Sequence, residues 1–96
     1  MRQYELMVVL SPDLGEEGAD PTLERVQELI AGAGGKVTDV DEWGLRRLAY
    51  EIDDHRDGYY TVIHFDSVPS KINELERGLR LTESIMRFLV VRLDED

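Results

Sequence analysis

Asp53, Asp54, His55 and Asp57 bring four oxygen- or imidazole-bearing side chains into five positions, a combination that could ligate a cation. Metal sites need donors that converge, however, and Asp residues running into Gly58 are also the ordinary vocabulary of a hairpin turn, which is the reading adopted. His55 and His64 are the only imidazoles, and there is no cysteine, which excludes disulfides and thiolate ligands. Ser11, Ser67, Ser70 and Ser84 sit in no nucleophile motif. With 21 acidic residues, paired carboxylates occur by abundance and say nothing about acid–base catalysis. No catalytic residue, metal site or cofactor is expected. The cluster with a definite chemistry is Gly44-Leu45-Arg46-Arg47-Leu48-Ala49-Tyr50, because a guanidinium is a planar fork that fits phosphate or carboxylate oxygens. Adjacent residues of a strand point to opposite faces, so Arg46 and Arg47 cannot both face one partner unless the strand bends. A charged edge strand that resists pairing explains the same residues equally well, as it does Arg87 and Arg92.

Charge argues against a polyanionic partner at first sight. The net charge is −10, whereas affinity for nucleic acid comes largely from neutralised phosphates. The local field matters more than the sum, and the charge is uneven. Residues 1–45 hold ten acids against Arg2, Arg25 and Lys36, while residues 46–96 hold eleven acids against eight bases, seven of them arginine. Ninety-six residues with 42% apolar content suit a single domain, 1–96, ending in the short acidic Asp94-Glu95-Asp96. No stretch approaches the roughly 20 apolar residues of a membrane span. The opening Met1-Arg2-Gln3-Tyr4-Glu5 is too polar for a secretion signal, so a cytoplasmic protein without a membrane partner is expected.

The elements that must position these residues follow from periodicity. Residues 2–10 are rich in β-formers and stop at Ser11-Pro12, a first strand. Ser11 to Asp20 reads as a polar connection, with Asp20 capping a helix that starts at Pro21. Leu23, Val26, Ile30 and Ala33 give that helix one apolar face, and Gly34-Gly35 ends it. Lys36 to Asp53 is extended, but eighteen residues at ~3.3 Å each exceed an ordinary strand, so a bend or bulge is expected near Gly44. A turn over 53–58 leads to a strand from Tyr59 to Phe65. Pro69 and Ser70 then open a helix with Ile72, Leu75 and Leu79 on one face, and Ser84 to Leu93 forms the last strand.

The order β-α-β-β-α-β implies a ferredoxin-like α+β fold, a four-stranded antiparallel sheet with both helices on one face. If Leu6, Val8, Ile63, Phe65, Phe88 and Val90 pack under the helices, then Glu5, Met7, Val9, Tyr60, Val62, His64, Arg87, Leu89 and Val91 lie on the other face. That face is mixed and partly apolar, compatible with a partner and equally with an idle sheet surface. RNA-recognition motifs share the topology, but Asp57 stands where their third-strand signature is basic and Thr61 where it is aromatic. Acylphosphatases bind phosphate after the first strand, where this chain has the acidic run Ser-Pro-Asp-Leu-Gly-Glu-Glu-Gly.

Four segments together resemble the bacterial small-subunit ribosomal protein S6 family over nearly the whole chain. They are Met1-Arg2-Gln3-Tyr4-Glu5; Trp43-Gly44-Leu45-Arg46-Arg47-Leu48-Ala49-Tyr50-Glu51-Ile52; Asp57-Gly58-Tyr59; and Ile85-Met86-Arg87-Phe88-Leu89-Val90-Val91-Arg92. The resemblance implies a ferredoxin-like, non-enzymatic protein of the small ribosomal subunit that binds small-subunit ribosomal RNA jointly with ribosomal protein S18. It implies no cofactor and no small-molecule substrate. Carried over by position, Arg2, Tyr4, Arg87 and Arg92 are the candidates for contact with RNA. Arg46, Arg47, Leu48 and Tyr50 are the candidates for contact with the partner protein, with Arg46 or Arg47 reaching RNA as well. The departure from the family lies in the charge of −10 with only two lysines. A homo-oligomeric ferredoxin-like regulatory or ligand-binding module is the alternative, and a small hydrolase without a credible nucleophile ranks last.

Overall fold

The computed structural model describes residues 1–52 and 54–94, with every side chain among them except that of Glu16. Asp53, from the expected turn cluster, and Glu95 and Asp96, from the acidic end, lie outside the described residues. The chain runs β1 (Arg2–Leu10), a 3₁₀ turn (Pro12–Leu14), α1 (Gly15–Gly32), β2 (Lys36–Ile52) and β3 (His55–Ser67). A second 3₁₀ turn (Pro69–Lys71), α2 (Ile72–Arg80) and β4 (Ile85–Arg92) complete it. The expected β-α-β-β-α-β order holds, and the sheet order is β2-β3-β1-β4 with every neighbouring pair antiparallel.

Two boundaries differ from expectation. The first helix begins at Gly15 rather than Pro21, because Ser11 accepts a hydrogen bond from the Asp13 N–H (3.2 Å) and the Pro12–Leu14 turn leads directly into the helix. Pro21 then lies inside the helix, where it cannot donate to the Glu17 carbonyl, but it faces solvent, where water can take that role. Starting early lets Ala19 enter the core and Leu14 pack against it. The hairpin turn is also tighter than the cluster over 53–58, since β3 is already paired at His55, opposite Ile52.

The core lies between the helices and one face of the sheet. Leu6, Val8 and Leu10 of β1, Ile63 and Phe65 of β3, Leu23, Val26, Ile30 and Ala33 of α1, and Leu75 and Leu79 of α2 are buried together there. Phe88 and Val90 pack at its margin, so the alternation expected for the helix-covered face holds.

Strand β2 stays straight only in part. It carries extra residues against β3 between Val37 and Asp39, between Glu42 and Gly44, and between Arg47 and Ile52. The middle irregularity is the expected bend: Gly44 has φ +78°, a conformation L side chains rarely adopt. Gly44→Ala should therefore lower stability by about 1–2 kcal/mol, with Gly44→Asn recovering part of the loss. Chemical denaturation checks this, and a neutral Gly44→Ala would mean the bulge is absent.

Candidate functional site

The bulge at Trp43 decides which way the arginines point. Glu42 pairs with Thr61 and Gly44 with Tyr60, so Trp43 is the inserted residue. Its indole stacks on Tyr60 (centroids 6.4 Å apart, planes 11° from parallel), and its Nε1–H donates to Asp41 Oδ2 at 3.0 Å. After one inserted residue the alternation shifts by one. Gly44, Arg46, Leu48 and Tyr50 then share the side of Tyr60 and Gly58, while Leu45 and Arg47 take the other.

Beyond the Arg47–Asp57 pair the ladder lapses until Ile52 meets His55, and in this interval β2 folds over the helix-free face. Leu48 turns in and is only 9% exposed. Gly58 makes the close approach possible: a Cβ there would lie 2.5 Å from Val9 Cγ1 and 3.7 Å from Leu48 Cδ2. Val9 points away from the helices as expected, yet it is 1% exposed, because the hairpin rather than a helix covers it. Two residues on, Tyr50 reaches β4, where Arg87 Nη1–H donates to its Oη at 3.3 Å and the guanidinium carbon lies 6.0 Å from the ring centroid. On the other flank His55 Nε2 lies 3.0 Å from Asp13 Oδ2, tying the tip to the turn after β1, while its Nδ1 is buried without a hydrogen-bond partner. His55 is thus aimed at Asp13 rather than toward a cation with Asp54 and Asp57. Among the described residues no group of three His, Asp or Glu side chains could hold a metal.

The remainder of the helix-free face splits into strips. Leu89, Met7 and Val62 lie in register across β4, β1 and β3, and Glu5 and His64 in the next row are hydrogen-bonded at 2.9 Å. Leu89 and Val91 remain largely exposed on β4, as do Trp43, Leu45 and Tyr50 on β2.

The eight candidate residues do not form one patch. Arg46, Tyr50 and Arg87 gather near the hairpin tip, with Arg47 on the reverse side of the strand. Arg2 and Arg92 lie at the opposite end of β1 and β4, five residues along β4 from Arg87, or about 17 Å at strand rise. Both are within ion-pair distance of Asp94, at 3.6 and 3.5 Å. Tyr4 is a core residue, stacked on Phe65 at 5.5 Å, because alternation puts it with Leu6 under the helices; its ring therefore has no face free for a base. Leu48 is likewise interior and acts by holding the tip down. The stacked Trp43–Tyr60 pair was not among the candidates, and its only trace in the sequence is the bend expected beside it.

Charge is segregated as well. Arg25, Arg56 and Lys71 pair with Glu28, Glu51 and Glu74, whereas Arg46, Arg47 and Arg87 on the sheet form no ion pair among the described residues, nor do Lys36 at the start of β2 and Arg77 and Arg80 in the last turn of α2. The exposed face of α1 carries Glu17, Asp20, Glu24 and Glu28.

A family model described as ribosomal protein S6 matches residues 3–92. The chain is 47% identical over 95 residues to the small ribosomal subunit protein bS6 of Caldanaerobacter subterraneus subsp. tengcongensis, across 99% of this chain and 100% of the relative. It is also 47% identical over 95 residues to the protein of that name from Mycobacterium tuberculosis, across 99% of each. The crystal structure of 30S ribosomal protein S6 from Thermotoga maritima matches with a TM-score of 0.91 at 36% identity, over 96% of this chain and 87% of that one.

Two expectations follow from the geometry. Leu48→Ala should cost about 2 kcal/mol and speed amide exchange through the hairpin tip, while exposed Leu45→Ala should stay within about 0.5 kcal/mol. Equal effects of the two would contradict the tip's packing. At the other end, partial desolvation raises the Asp94 carboxyl, but the Gln3 N–H, its own N–H, Arg92 and Arg2 outweigh it and hold the group below its ordinary 3.8. A carboxyl depressed in the folded state contributes stability above its unfolded value and loses it as pH falls through the folded one. Asp94→Asn should accordingly flatten the acid limb of stability against pH; an unchanged limb would count against this network.

Proposed function

This chain belongs to the ribosomal protein S6 family and is a protein of the small ribosomal subunit, and we propose that it holds its place there by binding small-subunit ribosomal RNA jointly with ribosomal protein S18. Its relatives are structural proteins of the ribosome, so it is no enzyme, and its location is the ribosome of the cytoplasm. The observation that carries joint binding is that Arg46, Arg47 and Arg87 stand on the sheet, towards the hairpin, without an ion pair among the described residues of a molecule of net charge −10.

Three guanidiniums offer few phosphate contacts, and the acidic remainder repels a polyanion, so RNA binding by this chain alone is weak. A basic partner reverses that balance by meeting the acidic surface and adding its own cations to the combined field. Tyr50, 64% exposed, together with Arg46 supplies the partner-facing part of the hairpin, and Leu48 holds both in place from beneath. Arg47, on the reverse side of β2, and Arg87, on β4, are left to phosphates, with Arg2 and Arg92 providing a second point of contact. Tyr4 acts through the strand it anchors.

The test is an equilibrium titration of small-subunit RNA with the chain, with S18, and with both, over a range of salt. The expected outcome is weak binding by the chain alone and tight, salt-sensitive binding by the pair. Arg47→Ala should reduce the slope of log affinity against log salt by about one while leaving the fold intact. If the chain binds neither S18 nor the RNA–S18 mixture at moderate salt, joint binding is wrong. Unchanged assembly of Arg46→Ala and Arg47→Ala variants would remove those residues from the interface.

A further inference from the structure

Tyr50 and Arg87 are both on the surface, where a ring and a guanidinium ordinarily sample many rotamers. They meet here because two backbone relations close a circuit. Tyr50 lies two residues after Leu48, and Leu48 and Val9 are both buried and both approach the bare Cα of Gly58. Val9 in turn is the cross-strand neighbour of Arg87. The buried half of the circuit, Leu48 and Val9, fixes the spacing of the exposed half. Arg87 spends one of its donors on the Tyr50 hydroxyl, and the others are available to a phosphate.

From this circuit we infer that Tyr50 is a positioning residue for Arg87 and couples the binding of protein partner and RNA. This rests on the proposed joint binding and specifies how one ligand assists the other. In the free chain the contact is loose: the hydrogen bond is 3.3 Å long, the guanidinium sits at the outer limit of a cation–π contact, and water reaches both groups. A partner that covers the Tyr50 ring excludes water and pins the ring. The attraction for Arg87 then strengthens, and the guanidinium is held before RNA arrives. Part of the ordering that RNA would otherwise impose is complete, so RNA binds more tightly to the pair. By linkage, RNA tightens the partner by the same factor.

The experiment is a thermodynamic square with S18 saturating, so that weakened S18 binding cannot imitate lost coupling. RNA affinity with and without S18 is measured for wild type, Tyr50→Phe, Tyr50→Leu, Arg87→Gln and the double variants. Tyr50→Leu should lower the ratio of the two affinities by about fivefold, and Tyr50→Phe, which keeps the ring, by about twofold. In the Arg87→Gln background neither change should lower the ratio further, a non-additivity that a merely structural role for Tyr50 does not produce. Circular dichroism and thermal melts establish that each variant folds, and nuclear magnetic resonance order parameters of the Arg87 Nε–H report its positioning directly. Wild-type coupling in Tyr50→Leu, or losses that add to those of Arg87→Gln, overturns the positioning role alone. Absence of any cooperativity in the wild type overturns joint binding itself, and the positioning role with it.

Discussion

A pleated strand that buries one row of side chains must turn the next row to the other face, and two helices can cover only one face of this sheet. Every feature of the surface descends from that constraint. The row Leu6, Val8, Ile63 and Phe65 goes under the helices, which commits Met7, Val9 and Val62 to the helix-free side. The chain meets the resulting exposure partly from its own resources, by folding the end of the β2–β3 hairpin over Val9. Leu89, Val91 and the ring of Tyr50 stay uncovered. Exposed apolar side chains interleaved with charge in this way suit a protein partner.

The hairpin can reach back because β2 departs from regular pairing. Each inserted residue twists the strand and breaks the edge ladder, and the same irregularity that bends the hairpin makes β2 a poor template for a second strand. A long exposed edge thus becomes a carrier of specific side chains rather than a site of indiscriminate pairing. The two ends of the sheet differ accordingly. Arg2 and Arg92 are engaged with Asp94 at one end, whereas Arg46, Arg47 and Arg87 form no ion pair among the described residues towards the other.

Acidity and RNA association are compatible under this arrangement. Affinity for RNA follows the local field, and the acids concentrated on α1 lie on the helical layer, away from the sheet face that carries Arg87. The same acids repel a polyanion that approaches from the helical side, and leave the sheet side as the more favourable approach.

Much of the fold was legible in the residues themselves. Spacings of three and four in Leu23, Val26, Ile30 and Ala33 mark one helix face, and the two-residue period of a strand groups Leu6 with Val8 and Ile63 with Phe65; these residues are the ones buried between helices and sheet. The family was legible for a different reason, the resemblance carried by the run from Trp43 to Ile52 and the ending from Ile85 to Arg92. Pro21 misplaced the helix start because a local penalty was outweighed by distant packing of Leu14 and Ala19. Tyr4 could have been excluded from the surface by alternation alone.

What the sequence by itself determined was the element order, the helix-covered core, the bend at Gly44 and the presence of arginines in β2 and β4. Only the tertiary structure decided which of Arg46 and Arg47 takes which face beyond the Trp43 bulge, that Leu48 is buried at the hairpin, and that Tyr50 meets Arg87. Local preferences act over a few residues, whereas the Tyr50–Arg87 contact joins positions 37 apart and depends on how far a strand twists. That twist is set by the whole sheet, and no stretch of β2 read alone contains it.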